Sequence, residues 1–225
     1  MSASPPLYLV RHCQATGQEP DAPLTARGEQ QSAQLANFLQ PSMIAHIVTS
    51  PFRRAQQTVE PLALATGLPV EIDARLAERT LSTEPLPDWR ERLQATWDDF
   101  DMVLPGGESS RADTTRGMAT LSDALARMSG PTLTFSPRSA SGSAPTFLPG
   151  STAGPTPTFL SGSPPGPTVV VTHGNLLSLL LHAMDGRPGV ATWERLTNPD
   201  VFQVQHSPGA GDAPARWTVT RLWAP

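Results

Sequence analysis

Two short apolar runs lead straight into a histidine. Leu7-Tyr8-Leu9-Val10 ends in Arg11-His12, and Thr168-Val169-Val170-Val171-Thr172 ends in His173-Gly174-Asn175. Runs of this length, apolar or β-branched throughout, read as buried strands. Between and after them, strand-like runs alternate with stretches of helical spacing. That alternation predicts a three-layer α/β/α sandwich with a mostly parallel central sheet. Ligands in open α/β sheets bind just beyond the carboxyl ends of strands. Two strand-end histidines in one sheet are therefore placed to meet over one pocket. A lone histidine is more often a packed structural residue, but a pair flanked by Arg11 and Gly174 points to a site.

The other elements follow from caps and periodicity. Thr25 reads as the cap of a helix over 27–39, with Ala33, Ala36 and Leu39 on one face. Ile44 to Thr49 reads as a strand. Ser50-Pro51 forms a cap and first-turn pair for a helix from Phe52 to Thr66 that stops at Gly67. Val70 to Ile72 is a short strand. Trp89, Leu93, Trp97 and Phe100 recur at helical spacing. Pro105-Gly106-Gly107-Glu108-Ser109 is a turn into a helix striped by Met118, Leu121, Leu125 and Met128. Leu176 to Met184 is an apolar helix, and Val201–Val204 and Trp217–Thr220 read as closing strands.

Residues 129–167 differ sharply. Most are Pro, Gly, Ser or Thr, and Arg138 is the only charge. A crude repeat recurs as Pro145-Thr146-Phe147-Leu148 and Pro157-Thr158-Phe159-Leu160. Such a stretch buries too little apolar surface to offset its ordering entropy. It is expected to be a disordered insertion in a single domain over 1–225, with a short partner segment around its phenylalanines as the second reading.

Composition narrows the chemistry. All 16 basic residues are arginine, which excludes Schiff-base and P-loop lysines. A net charge of −4 gives no sign of nucleic-acid binding. No apolar run approaches the roughly 20 residues of a membrane span. The single cysteine, Cys13, leaves no internal disulfide, and the first residues lack a signal-peptide pattern. A cytoplasmic protein with no membrane partner is expected. Arg53-Arg54 opens a helix, where free N–H groups and a planar cation together suit phosphate.

Several motifs in series resemble the histidine phosphatase superfamily, which includes phosphoglycerate mutase-like proteins. Leu9-Val10-Arg11-His12 looks like its entry motif, and Leu24-Thr25-Ala26-Arg27-Gly28-Glu29-Gln30-Gln31 its following helix start. Ser50-Pro51-Phe52-Arg53-Arg54-Ala55-Gln56-Gln57-Thr58 is similar to a signature that selects Arg54 over Arg53. Leu76-Ala77-Glu78-Arg79 resembles the proton-donor segment, and Pro105 to Ser109 a motif of the phosphatase branch. Val170-Val171-Thr172-His173-Gly174 matches the second histidine segment.

The resemblance implies a phosphatase acting on a small phosphorylated metabolite without metal or other cofactor. His12 attacks phosphorus. Arg11, Arg54, Gln18, Gly174 and a protonated His173 hold the phosphoryl oxygens. Glu78 protonates the leaving oxygen. Departures are visible. Cys13 stands where the family has glycine, so it either crowds the phosphate, acts as an activated thiol, or is a tolerated small residue. The stretch after Glu78 also diverges, which leaves Glu84 and Glu108 as competing acids. Mutase-type phosphoryl transfer and a catalytically weak binding or scaffolding protein are the alternatives. Residues 79–110 are expected to cover the pocket, with Arg79, Arg90 and Arg92 as candidate receivers of further anionic groups.

Overall fold

Side chains of the first strand, β1 (Leu7–Arg11), alternate between two separate cores. In the computed structural model, which describes residues 5–128, 166–209 and 215–223, Leu7 and Leu9 pack under helices α4 (Ser110–Met128) and α5 (Gly174–Asp185), against Leu121, Leu177 and Leu180. Tyr8 and Val10 face the opposite way. They meet Leu35 and Leu39 of α1 (Ala26–Leu39) and Val59 and Leu62 of α2 (Arg53–Thr66). This period-two division makes the sheet the middle of three layers.

The sheet has six strands. With β2 (His46–Thr49), β3 (Val70–Ile72), β4 (Thr168–Thr172), β5 (Asp200–Ser207) and β6 (Arg216–Trp223), its order is β3-β2-β4-β1-β5-β6. The first four strands run parallel, while β5 pairs antiparallel with β1 and β6 antiparallel with β5. β4 lies inside the sheet, and Val169, Val170 and Val171 are wholly buried. Cover on both faces is why its sequence shows no alternation.

Local signals place most boundaries. Thr25 caps α1 by accepting the Gly28 N–H at 3.0 Å, and Gly67 ends α2 with φ 71°. One expectation is corrected, one helix is added, and one segment lies mostly outside the described residues. Ser50 is not the cap of α2. The helix starts one residue after Phe52, and the Ser50 hydroxyl is turned toward His173 at 2.7 Å. Helix α6 (Gly189–Arg195) carries no periodicity strong enough to announce it in seven residues. It packs beside α3 (Trp89–Asp98), where Trp97 lies over Gly189 so closely that a Cβ there would come within 2.0 Å of the ring. Finally, the insertion expected at 129–167 falls outside the described residues for 129–165. Gly166 and Pro167 are ordered, and the Pro167 carbonyl accepts the Ala45 N–H at 2.8 Å. Among the described residues, no helix is long and apolar enough to cross a membrane.

Candidate active site

β1 and β4 are paired in register, with Arg11 opposite Thr172, so both chains leave the sheet at the same level. The pairing continues past the strands. The His12 N–H donates to the Thr172 carbonyl and the Ser50 N–H to the Val171 carbonyl, each at 3.0 Å. Three neighbouring strand ends thus deliver His12, Ser50 and His173 to one place. The two imidazole centroids lie 5.1 Å apart.

The proton on His12 is fixed by its surroundings. Nδ1 lies 2.7 Å from the Cys13 carbonyl, which only accepts, so Nδ1 carries the hydrogen and Nε2 keeps a lone pair. Arg54 donates its Nε–H to that Nε2 at 3.2 Å. Burial brings His12 down to about 3. The Cys13 hydrogen bond opposes this, and Arg54 and Arg11 reinforce it. The ring is therefore neutral at neutral pH.

His173 is also held neutral. Burial first, then His12, Arg54 and Arg11, keep it well below the usual imidazole value. The protonated form expected from the sequence does not arise from this protein environment. Its Nε2 pairs with Ser50, and Nδ1 has no partner among the described residues.

The two arginines are anchored differently. Arg54 is buried and donates through Nη1 to the carbonyls of Gln18 and Glu19 at 3.0 and 2.8 Å. Arg53 lines a separate groove with Gln57 and Leu64, so geometry agrees with the motif in selecting Arg54. Arg11 donates to the Leu196 carbonyl at 2.8 Å, and its guanidinium lies close against Gly174. A Cβ at that glycine would sit 3.1 Å from Arg11 Nη2, so a larger residue displaces the cation.

Glu78 reaches the site from the loop after β3. A single helical turn, Ala74–Leu76, precedes it, and the Thr172 hydroxyl holds that turn by donating to the Leu76 carbonyl at 2.9 Å. The Glu78 carboxylate accepts the N–H groups of Asn175 and Leu176 at 3.2 and 3.1 Å. It therefore caps α5, whose own cap residue His173 supplies no side-chain bond.

These groups surround a cavity of about 470 Å³. Arg11, His12, Gln18, Glu78 and Gly174 are on its wall, while Arg54 and His173 are packed against His12. Among the described residues, Glu78 is the only carboxylate on that wall. The competing Glu108 is instead clamped by Arg116 through two bonds at 2.9 and 3.0 Å, and Glu84 is exposed away from the cavity. Cys13 is wholly buried, off the wall, and its N–H donates to the Thr58 hydroxyl. Burial pushes its thiol up to about 12, which disfavours the thiolate that an activated cysteine needs. Arg79 is on the wall. Arg90 is exposed and stacks on Trp89, and Arg92 pairs with Asp88 at 2.8 Å. Among the described residues, no group of three His, Cys, Asp or Glu side chains is placed to hold a metal ion.

Sequence reasoning missed several supports. The Asn198 amide donates to the His12 carbonyl at 2.6 Å from a distant loop, and nothing in its local sequence marks it. Trp193, on the unannounced helix α6, also lines the cavity. The Phe52 ring stands 4.9 Å from that of His173 and 4.8 Å from the Arg54 guanidinium carbon. Its place inside the Ser50–Thr58 motif was the available signal.

Comparison with known proteins bears on the site residues of the first half of the chain. A family model described as histidine phosphatase superfamily, branch 1, matches residues 7–136. A probable phosphoglycerate mutase GpmB from Salmonella choleraesuis is 34% identical over 137 residues, covering 53% of this chain and 62% of that relative. The match thus spans less than two thirds of the relative's length. Among solved structures, a mycobacterial glucosyl-3-phosphoglycerate phosphatase superposes with a TM-score of 0.63 at 24% identity, covering 97% of this chain and 98% of that one. The alpha-ribazole phosphatase from Shigella flexneri gives a TM-score of 0.60 at 21% identity, covering 95% of each chain. At these identities the structural likeness speaks for the fold.

Proposed function

The chain belongs to the histidine phosphatase superfamily, branch 1, and on that premise we propose that it hydrolyses a small phosphomonoester through a phosphohistidine on His12. The observation that carries this reading is the state of His12. Its Nδ1–H is committed to the Cys13 carbonyl, and its Nε2 lone pair belongs to a neutral ring on the wall of a cavity shared with Arg11 and Glu78.

The chemistry follows from these positions. Nε2 of His12 forms a bond to phosphorus as the bond to the leaving oxygen breaks. Glu78 gives that oxygen its proton. Water then attacks phosphorus, returns a proton to Glu78, and the Nε2–phosphorus bond breaks to release phosphate. Arg11 and Arg54 are fixed cations for the equatorial oxygens, and preset charge of this kind stabilises a phosphoryl transition state without reorganisation. His173 is neutral in the protein's own field. A phosphoryl dianion beside it reverses that field and draws a proton onto the ring. Gln18 and Gly174 complete the phosphate-binding wall.

The test is phosphate release by the full chain, with acid and alkaline treatment of the quenched enzyme to classify the phosphoenzyme. The expected result is turnover of p-nitrophenyl phosphate and capture of an acid-labile, base-stable phosphoenzyme, both absent in His12→Ala. Equal turnover in His12→Ala overturns the reading.

A second reading, transfer between two hydroxyls, draws on the 34% identity to a probable phosphoglycerate mutase. Phosphoryl transfer on 3-phosphoglycerate without net phosphate release is its signature, and net release is the signature of hydrolysis. A binding or scaffolding role, motivated by Cys13 and by the divergent stretch after Glu78, is less well supported, because Cys13 lies off the cavity wall and Glu78 lies on it.

A further inference from the structure

The segment His12-Cys13-Gln14 leaves no backbone polar group unpaired. The His12 N–H donates to the Thr172 carbonyl at 3.0 Å and the Cys13 N–H to the Thr58 hydroxyl at 2.9 Å. The His12 carbonyl accepts from the Asn198 amide, and the Gln14 carbonyl accepts the Thr25 N–H at 3.0 Å. The two remaining groups belong to one peptide. Its carbonyl, that of Cys13, accepts the Nδ1–H of His12 at 2.7 Å. Its N–H, that of Gln14, donates to Oε1 of Gln31 at 3.0 Å.

The carbonyl and N–H of a trans peptide point in opposite directions. Whatever holds the Gln14 N–H toward α1 therefore also aims the Cys13 carbonyl at His12. Gln31 is placed to do so. Its side chain is 5% exposed and lies off the cavity wall, and its Nε2 donates to the Asn198 carbonyl. These partners settle how the amide lies, because the Gln14 N–H needs the oxygen and the Asn198 carbonyl needs the NH2. Docking of α1 does not need this amide, since Leu35 and Leu39 already bury the helix against the sheet. A buried amide is costly unless it is bonded, and here both ends are bonded to the loops that flank the nucleophile.

Turned over, the same peptide would offer its N–H to Nδ1 and its carbonyl to Oε1 of Gln31. The ring would then carry its hydrogen on Nε2 and have no lone pair for phosphorus. Arg54 opposes that state only until phosphate arrives, because its Nε–H must leave Nε2 before attack. A phosphoryl oxygen beside Nε2 is itself an acceptor that draws hydrogen onto that nitrogen. At that stage the Cys13 carbonyl is what keeps the hydrogen on Nδ1.

We infer that Gln31 is a positioning residue that sets the tautomer of His12, acting through the Cys13–Gln14 peptide. The inference rests on the phosphohistidine reading of His12 and adds to it a residue that never touches substrate.

The test uses the full chain with nitrogen-15-labelled histidine and compares the parent with Gln31→Met and Gln31→Glu. Proton–nitrogen spectra, with the His12 signals identified by their loss in His12→Gln, report which ring nitrogen carries hydrogen, free and saturated with inorganic phosphate. Single-turnover release of p-nitrophenol from p-nitrophenyl phosphate at saturating enzyme gives the phosphorylation rate. Both readouts describe folded molecules only. The parent is expected to keep hydrogen on Nδ1 in both states. Gln31→Met should move it to Nε2 in the phosphate-bound protein and slow the turnover about 10²-fold. That is less than the roughly 10⁴-fold cost of a wrong tautomer in a serine-protease triad, because Thr58 and Asn198 still hold the neighbouring groups. Gln31→Glu keeps an acceptor for the Gln14 N–H, so it should keep hydrogen on Nδ1 and recover most of the rate. Gln31→Asn, too short to reach that N–H, replaces Gln31→Met if the latter does not fold. Unchanged turnover with hydrogen still on Nδ1 in Gln31→Met overturns the inference. Slowed turnover with hydrogen still on Nδ1 overturns it equally, as the mark of a purely structural residue. Turnover that survives in His12→Gln overturns the phosphohistidine reading itself, and the spectra keep the two failures apart, because the tautomer responds to Gln31 whether or not the ring is the nucleophile.

Discussion

The Nε–H of Arg54 donates to Nε2 of His12 at 3.2 Å, so attack by that nitrogen requires the donor to pass from the ring to a phosphoryl oxygen. The same guanidinium ties down the Gln18 and Glu19 carbonyls. Replacing Arg54 with Ala is expected to lower kcat by about 10²–10³. Lys at this position should recover little, because an ammonium cannot hold a ring nitrogen and two carbonyls in one plane. Steady-state kinetics, with circular dichroism to check folding, decides this. Full activity in Arg54→Lys would falsify the requirement for a planar fork.

Glu78 has two tasks that a single substitution separates. Gln keeps an oxygen for the N–H groups of Asn175 and Leu176, and so keeps the cap on α5, but has no proton to give. With an alkyl phosphate, Glu78→Gln should lose about 10²–10⁴ in rate. With p-nitrophenyl phosphate, whose leaving group departs without help, the loss in the phosphorylation step should be far smaller. Burst kinetics on the two substrates measures it, and equal losses remove Glu78 from the acid role.

Stability should fall at both ends of the pH scale, for two separate reasons. His12 is held near about 3 when folded, against about 6.5 for an unperturbed histidine. Below about 6.5 the unfolded chain therefore binds a proton that the native ring refuses, and stability drops as pH falls toward 3. Asp113 runs the other way. Its carboxyl is pushed up to about 8, so from about 4 to 8 the native state holds a proton the unfolded chain has lost, and stability drops as pH rises. The slopes oppose between about 4 and 6.5, and above 6.5 that of Asp113 stands alone. Thermal melts of Asp113→Asn should lack most of the parent's loss in Tm between pH 6.5 and 8. An identical alkaline decline in both proteins disproves the assignment.

Cys13 should be chemically silent. It is wholly buried and its thiol is pushed up to about 12. Native protein is expected to react with a disulfide reagent only after unfolding, and Cys13→Ser should keep kcat within about threefold. Rapid modification of the native state, with parallel loss of activity, would place the thiol in the chemistry after all.

Much of this was legible along the chain. The buried strand of Val169, Val170 and Val171, the Thr25 cap and the Gly67 stop are local, because a few adjacent residues settle them through burial, hydrogen bonding and backbone geometry. Arg11, His12 and His173 were legible at strand ends and Arg54 at a helix start, while Glu78 was marked only by the family resemblance, with Glu84 and Glu108 as competitors. What no local pattern carried was the support. Asn198 reaches His12 from a distant loop, and Trp193 stands on a helix too short to show periodicity.

The sequence by itself determined that two buried strands end in histidines, and that arginines alone supply the positive charge. Parallel pairing of β1 with β4 then had to bring those histidines within 5.1 Å of each other. Only the tertiary structure decided the surroundings of those rings, which of Glu78, Glu84 and Glu108 lines the cavity, and the burial of Cys13. Each of these depends on desolvation and on charges contributed by other elements, and burial is a property of the packed whole that no stretch of sequence holds on its own.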